Sequence, residues 1–320
     1  MSESHTLIGS EPPMVITYFF EESIKSFGKQ PALRVKRDGK WVRWTYAEFH
    51  RDTLRFAKGL IALGINKHKA MNIIGFNAPE WVIAFYAGFY SAIIPIGVYT
   101  TNGPDACFYI AEHSEAEVII VENETHLKKY LPNWKKLPEL KYIIMYTGTV
   151  PTNLPPEYKD RVLTFDEVLK RGDEYKPKAS DDSLEARKAL QQPGKCCTLV
   201  YTSGTTGNPK GVILSHDNYI WTARRLIAEA NLDGRPQRVV SYLPLSHVAG
   251  QIVDLFCTVG VGAEITFADS SALQGSLVNY LKEVRPTIFF SVPRVWEKIE
   301  EQIKKIAAAN GPAKRALGND

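Results

Sequence analysis

The 320-residue sequence predicts an α/β fold of mostly parallel sheets covered by helices, and three observations carry that class. Short apolar runs alternate with helical patterns along most of the chain, the order that builds parallel strands with crossover helices. Two capping boxes, Thr45-Tyr46-Ala47-Glu48 and Thr164-Phe165-Asp166-Glu167, mark helix starts between such runs. The composition, 44% hydrophobic and 23% charged, is ordinary for a globular chain with a large core.

Taken in order, Arg34–Arg43 reads as a hairpin, because Asp38-Gly39 is a strong two-residue turn signal between alternating stretches. The Thr45 capping box opens a helix whose Phe49, Leu54, Phe56, Leu60 and Leu63 fall largely on one face, and Gly64 suits its C-terminal cap. MNIIGF is a strand. Asn77, with Glu80 three residues on, reads as the cap of a buried helix reaching about Ala92, followed by a buried strand over Ile93–Val98. CFYIAEHS is a helix, EVIIVE and KYIIMY are strands, and the second capping box opens another helix. Residues 171–193 are polar and form the best candidate linker. Beyond residue 215 the alternation resumes through a final strand, PTIFFSV, and a final helix, PRVWEKIEEQIKKIAAA. These readings divide the chain into an N-terminal helix and hairpin (1–44), a first α/β subdomain (45–192) and a second one (193–320).

Several function classes are set aside on the same grounds. A net charge of +4 without a basic face argues against nucleic acid. Four cysteines with no CxxC spacing make neither a disulfide framework nor a zinc knuckle, so no metal ligand set is expected and a reducing, cytoplasmic compartment fits. The first residues lack the basic and apolar regions of a signal peptide. Trp81–Tyr99 is uncharged and about long enough to span a bilayer. Pro95 and Gly97 break it, which favours a buried helix and strand. Arg171-Gly172-Asp173 matches an adhesion tripeptide only by coincidence.

The chemistry is concentrated in LVYTSGTTGNPKGVILSH, Leu199–His216. A glycine-rich loop directly after a buried strand lets backbone N–H groups approach anionic oxygens. Thr202, Ser203, Thr205 and Thr206 add hydroxyls, Gly204 and Gly207 add freedom, and Asn208-Pro209 leads stiffly to the single cation Lys210. The inventory suits a polyphosphate. It is not a Walker A loop, because Pro209 stands at the second glycine position and Gly211 follows the lysine; nor is it G-x-G-x-x-G.

YTSGTTGNPKGV resembles the phosphate loop of the adenylate-forming superfamily, and YLPLSHVAGQ and PTIFFSVPRVWEKI resemble two further elements of it. IIGFNAPEW, GVYTTNGPDACFYIAEHSEAEVIIVEN, LPLSHVAGQIVDL and VPRVWEKI are similar to the bubblegum-type long-chain acyl-CoA synthetases from about Thr45 to Ile306. The resemblance implies an acyl-CoA synthetase/luciferase-like fold. It implies that Thr202, Ser203, Gly204, Thr205, Thr206, Gly207, Asn208, Pro209 and Lys210 contact ATP, with Lys210 offsetting pyrophosphate charge as the catalytic cation. His247 and Val292 would lie at the acyl pocket. His216, which could be mistaken for a general base, is expected to start a helix. The implied reaction joins a long-chain fatty acid to CoA through an acyl-adenylate, with ATP and Mg²⁺, and with peripheral membrane contact to collect the lipid.

The superfamily's later Y-G-x-[ST]-E, [ST]-G-D and lysine-bearing segments do not follow Val292, so the chain reads as an incomplete N-terminal domain without the small C-terminal domain. That expectation makes the isolated chain inactive as a ligase. Two alternatives stand beside the leading one: another carboxylate–CoA ligase of the superfamily, such as an aryl-CoA ligase, and a non-catalytic form that binds nucleotide or acyl groups.

Overall fold

The computed structural model describes residues 12–177, 183–202, 208–232 and 236–309. By internal contacts the chain forms two units, Met1–Thr287 and Ile288–Asp320.

In the first unit, α1 (Ile16–Phe27) precedes the hairpin β1 (Pro31–Arg37) and β2 (Lys40–Thr45), whose turn residues Asp38 and Gly39 both take positive φ as the Asp-Gly signal requires. The expected capping box at Thr45 is present on α2 (Tyr46–Ala62), and Gly64 sits at φ +72° just past its end. There follow β3 (Ala70–Ile74), α3 (Pro79–Tyr90), β4 (Ile94–Val98), α4 (Pro104–His113), β5 (Ala116–Val121), α5 (Glu124–Leu127), β6 (Tyr142–Met145), β7 (Val162–Thr164), α6 (Phe165–Glu174) and α7 (Leu184–Lys188). The second capping box, at Thr164, starts α6.

The chain continues through β8 (Cys196–Thr202), β9 (Lys210–Ser215), α8 (His216–Glu229) and β10 (Arg238–Ser241). A helical run from Val248 to Gly260 follows, made of α9 (Val248–Gly250), a π-helix (Gln251–Cys257) and α10 (Thr258–Gly260). Then come β11 (Glu264–Phe267) and α11 (Leu277–Val284).

Two larger sheets result. One is wholly parallel, in the order β4-β3-β5-β6-β7; the other runs β10-β11-β1-β2, parallel except for the β1–β2 hairpin. The second sheet gathers strands from both ends of the unit: Leu33 pairs with Ile265 and Val35 with Phe267. The stretch that resembled a membrane span is the core between them. All twelve residues of α3 are buried, and no described helix is long and apolar enough to cross a membrane. A helix covered on every side is apolar on every side, which is why it reads like a span. Phe85, Tyr86 and Phe89 mesh with Phe20, Phe49 and Phe256, and the Tyr86 hydroxyl donates to the Leu255 carbonyl at 3.1 Å.

Three expectations are corrected. Asn77 does not cap α3. The N-cap is Ala78, Pro79 at the first helical position needs no N–H partner, and Glu80 pairs with Arg37. Residues 171–193 are not a plain linker. Residues 171–174 are the last turn of α6, and buried Arg187 on α7 donates to the carbonyls of Ile65, at 2.8 Å, and Ser91. No strand forms over Pro286–Val292; Thr287 bonds Arg238 on β10, and only Ile288 beyond it makes an isolated bridge. In the second unit residues 288–292 lead into α12 (Pro293–Ala309), and Phe289 meets Trp296 edge-on at 5.3 Å.

The Arg-Gly-Asp tripeptide lies on helix α6, as a packing element. A Cβ on Gly172 would sit 1.8 Å from the Arg55 carbonyl oxygen, and one on Gly59 would sit 2.3 Å from that of Val168. Asp173 pairs with Arg55 beside this contact. Gly→Ala inside a helix ordinarily stabilises by about 0.5–1 kcal/mol. At Gly59 and Gly172 the sign should reverse, with a loss of roughly 1–3 kcal/mol from overpacking, read as lower urea midpoints. Midpoints at or above wild type would contradict the α2–α6 crossing.

Candidate functional site

The segment with the phosphate-binding inventory is a β-hairpin. β8 and β9 pair antiparallel, with Tyr201 opposite Gly211 and Thr202 opposite Lys210. The described residues on either side of the loop, Thr202 and Lys210, are therefore paired strand ends. Thr202, Asn208 and Lys210 are exposed at its two ends and Pro209 is half-buried. Ser203, Gly204, Thr205, Thr206 and Gly207 lie outside the described residues. The two strands differ in burial: Val200 and Tyr201 on β8 are buried, whereas Val212 and Ile213 on β9 are 46% and 68% exposed.

Local packing fixes where the hairpin sits. The Tyr201 ring lies against Gly211, where an added Cβ would be 3.3 Å from it. The Tyr201 hydroxyl meets His113 Nδ1 on α4 at 2.8 Å, and burial pushes its pKa up to about 12. Further back along β8, buried Thr198 donates its hydroxyl to the Pro95 carbonyl of β4 at 2.5 Å.

The same strand receives the second predicted element. Leu243–His247 follows β10, and Ser246 presses on Gly97 of β4 so closely that a Cβ there would lie 2.7 Å from the Ser246 Cα. Gly97 is thus a close-approach glycine. His247 is exposed and caps α9, its Nδ1 accepting the Ala249 N–H at 3.1 Å, which leaves Nε2 as the outward donor of the neutral ring. The loop hairpin and the His247 turn therefore converge on β4. Val292 belongs to the second unit, where it is 42% exposed.

His216 starts α8, as expected. It is fully buried, accepts the Ile16 N–H on Nδ1 at 3.3 Å and meets Gln191 Oε1 through Nε2 at 2.7 Å. Burial lowers its pKa from 6.5 to about 4, so the ring is neutral and structural.

Sequence reasoning missed Asn77, Gln251 and Asp254. Asn77 donates to Ser241 Oγ at 2.9 Å and to the Leu243 carbonyl at 2.7 Å, and it accepts the Leu245 N–H at 3.1 Å. Gln251 donates to the Leu245 carbonyl at 2.7 Å and accepts from Tyr219. Behind Ser241, Asp254 is buried in the π-helix; desolvation raises its pKa from 3.8 to about 7, with a bond to Ser241 opposing. The available signal was a lone Gln and a lone Asp in the apolar run GQIVDLFC, since buried polar groups need partners. A cleft of about 370 Å³ opens beside Asn77, at the carboxyl ends of β3, β5, β6 and β11, where open parallel sheets place ligands.

The family described as AMP-binding enzyme matches residues 20–318. The chain belongs to that family. It is 42% identical over 308 residues to the long-chain-fatty-acid–CoA ligase ACSBG1 of Rattus norvegicus, covering 95% of this chain and 42% of the relative. It is 40% identical over 316 residues to ACSBG2 of Gallus gallus, covering 98% of this chain and 40% of the relative. The chain thus spans about two fifths of the length of the curated relatives it matches. Among solved structures, the A-PCP didomain of a carboxylic acid reductase from Segniliparus rugosus in complex with AMP aligns with TM-score 0.76 at 22% identity, over 95% of this chain and 46% of that one. An anthranilate CoA ligase, AuaEII, in complex with anthranoyl-AMP aligns at TM-score 0.71 and 21% identity, over 89% of this chain and 51% of that one. The predicted α/β class and the adenylate-forming fold are borne out.

His216 and Asp254 load the fold with opposite pH dependences. The unfolded chain binds a proton at His216 below pH 6.5 that the folded chain refuses until about pH 4, so this group's stability is lost as pH falls through that window. Folded Asp254 keeps a proton up to about pH 7 that the unfolded chain releases near 3.8, so its contribution is lost as pH rises. The two slopes offset each other in the wild type. In Asp254→Asn, unfolding free energy should fall with acidification from pH 6.5 by up to about 1.4 kcal/mol per unit; in His216→Asn it should rise. Urea titrations at several pH values measure both, and slopes of the same sign in the two variants would refute the assignment.

Proposed function

We propose that the protein activates a long-chain fatty acid with ATP, forming an acyl-adenylate and pyrophosphate, and then transfers the acyl group to CoA. The single observation that carries this reading is the convergence on β4. Thr198 bonds Pro95 and Ser246 abuts Gly97, so the hairpin bearing a polyphosphate-type loop and the turn bearing His247 share one rigid strand. The names of the relatives supply the substrate class.

In this reading Thr202 through Lys210 hold the ATP phosphates. Loop hydroxyls and N–H groups bind the phosphate oxygens, and Lys210 offsets the charge that grows on pyrophosphate as the carboxylate attacks the α-phosphorus. His247 presents its Nε2–H to the acyl end; Val292, in the second unit, is the other residue assigned to the acyl group by resemblance. Mg²⁺ would arrive on the ATP phosphates: among the described residues no group of three His, Cys, Asp or Glu side chains could hold it. The protein works in the cytoplasm and touches membranes peripherally to collect its lipid.

Lys210→Ala tests the loop. Lys210 is exposed at the start of β9, so the variant should fold as wild type. In the protein at its natural length, ATP–pyrophosphate exchange dependent on a long-chain fatty acid should fall by about 10²–10³-fold. Exchange at the wild-type rate would remove Lys210 from the reaction. Exchange supported by aryl acids and not by long-chain acids would overturn the substrate class.

A further inference from the structure

Leu243–His247 joins β10 to α9, and among the described residues it belongs to no strand ladder. Its backbone is satisfied by two side-chain amides from different parts of the chain. Asn77, 5% exposed in the β3–α3 connection, bonds the backbone at two points: it donates to the Leu243 carbonyl at 2.7 Å and accepts the Leu245 N–H at 3.1 Å. Its remaining donor goes to Ser241 Oγ, which fixes the side chain against the end of β10. Gln251, fully buried in the π-helix, takes the Leu245 carbonyl at 2.7 Å. The turn then closes on itself, His247 N–H to the Pro244 carbonyl at 3.0 Å and Gln251 N–H to the His247 carbonyl at 3.1 Å. Two glycines seat it, since a Cβ on Gly97 would strike Ser246 and one on Gly250 would come within 2.8 Å of the Pro244 oxygen.

We infer that Asn77 is a positioning residue for acyl recognition. Together with Gln251 it forms an amide clamp that sets the height and orientation of the His247 turn over β4, tying the turn to the β3–α3 connection of the other sheet. This rests on the reading that the turn faces the acyl group. A buried amide with all its partners aligned is well suited to the task, because losing it leaves a carbonyl and an N–H of the turn without their partner, which frees the turn to shift.

The test pairs a structural and a kinetic readout. Asn77→Ala removes all three bonds. Asn77→Asp keeps the shape and the acceptor for Leu245 while losing both donors, and serves if the alanine variant does not fold. Hydrogen–deuterium exchange on the 320-residue chain should accelerate about tenfold in the peptide spanning Leu243–Gln251, with β3–β7 peptides unchanged. In the protein at its natural length, KM for palmitate should rise about tenfold while KM for ATP stays at the wild-type value. His247→Ala is the control and should raise KM for palmitate as well. If His247→Ala raises it and the Asn77 variants do not, the clamp is structural only and the inference fails. If His247→Ala leaves it unchanged, the acyl-facing reading of the turn fails instead. Parallel rises in both KM values, or exchange that accelerates throughout the unit, would also overturn the positioning role.

Discussion

The fold depends on one helix that has no outside. α3 is buried at all twelve positions, and its neighbours are drawn from far along the chain: Phe20 and Phe49 before it, Phe256 and the Leu255 carbonyl after it. Phe85, Tyr86, Phe89, Trp81 and Tyr90 are all buried, and each such side chain contributes on the order of 1.5–3 kcal/mol. The β1–β11 pairing joins strands that precede and follow α3 in the sequence, so that sheet spans the helix. The Pro79 start and the Asn77 contact immediately before it place the entry to this helix at the seam between the two sheets.

Much of this was legible because local chemistry and global packing agree. Both capping boxes, the Asp-Gly turn and the glycine after α2 are read correctly from a few residues, since each satisfies its own backbone needs locally. The failures share the opposite property. Asn77 has the composition of a cap but spends its hydrogen bonds on residues more than 160 positions away, and nothing local announces that. Residues 171–193 look solvated by composition, yet Arg187 is buried because two distant carbonyls, Ile65 and Ser91, accept from it. PTIFFSV has strand propensity, and propensity alone does not supply a ladder partner.

The candidate site divides the same way. The loop from Thr202 to Lys210 and the His247 turn are legible as motifs because their residue types are unusual for their surroundings. Their common support is not: Gly97, Thr198 and Ser246 are ordinary residues until the strand between them is known. Nor does the sequence separate the roles of two histidines in similar contexts. His216 and His247 each start a helix, yet one is buried with both ring nitrogens engaged and the other keeps a donor facing solvent.

The hairpin register has a mechanical consequence. Thr202 and Lys210 are cross-strand partners, so their Cα atoms are held about 5 Å apart by the ladder behind them. Whatever path the intervening residues take, they begin and end on that fixed footing. The Lys210 backbone stays registered to β8 and, through Thr198, to β4, so a change of path between the two strands leaves the base of the hairpin where it is.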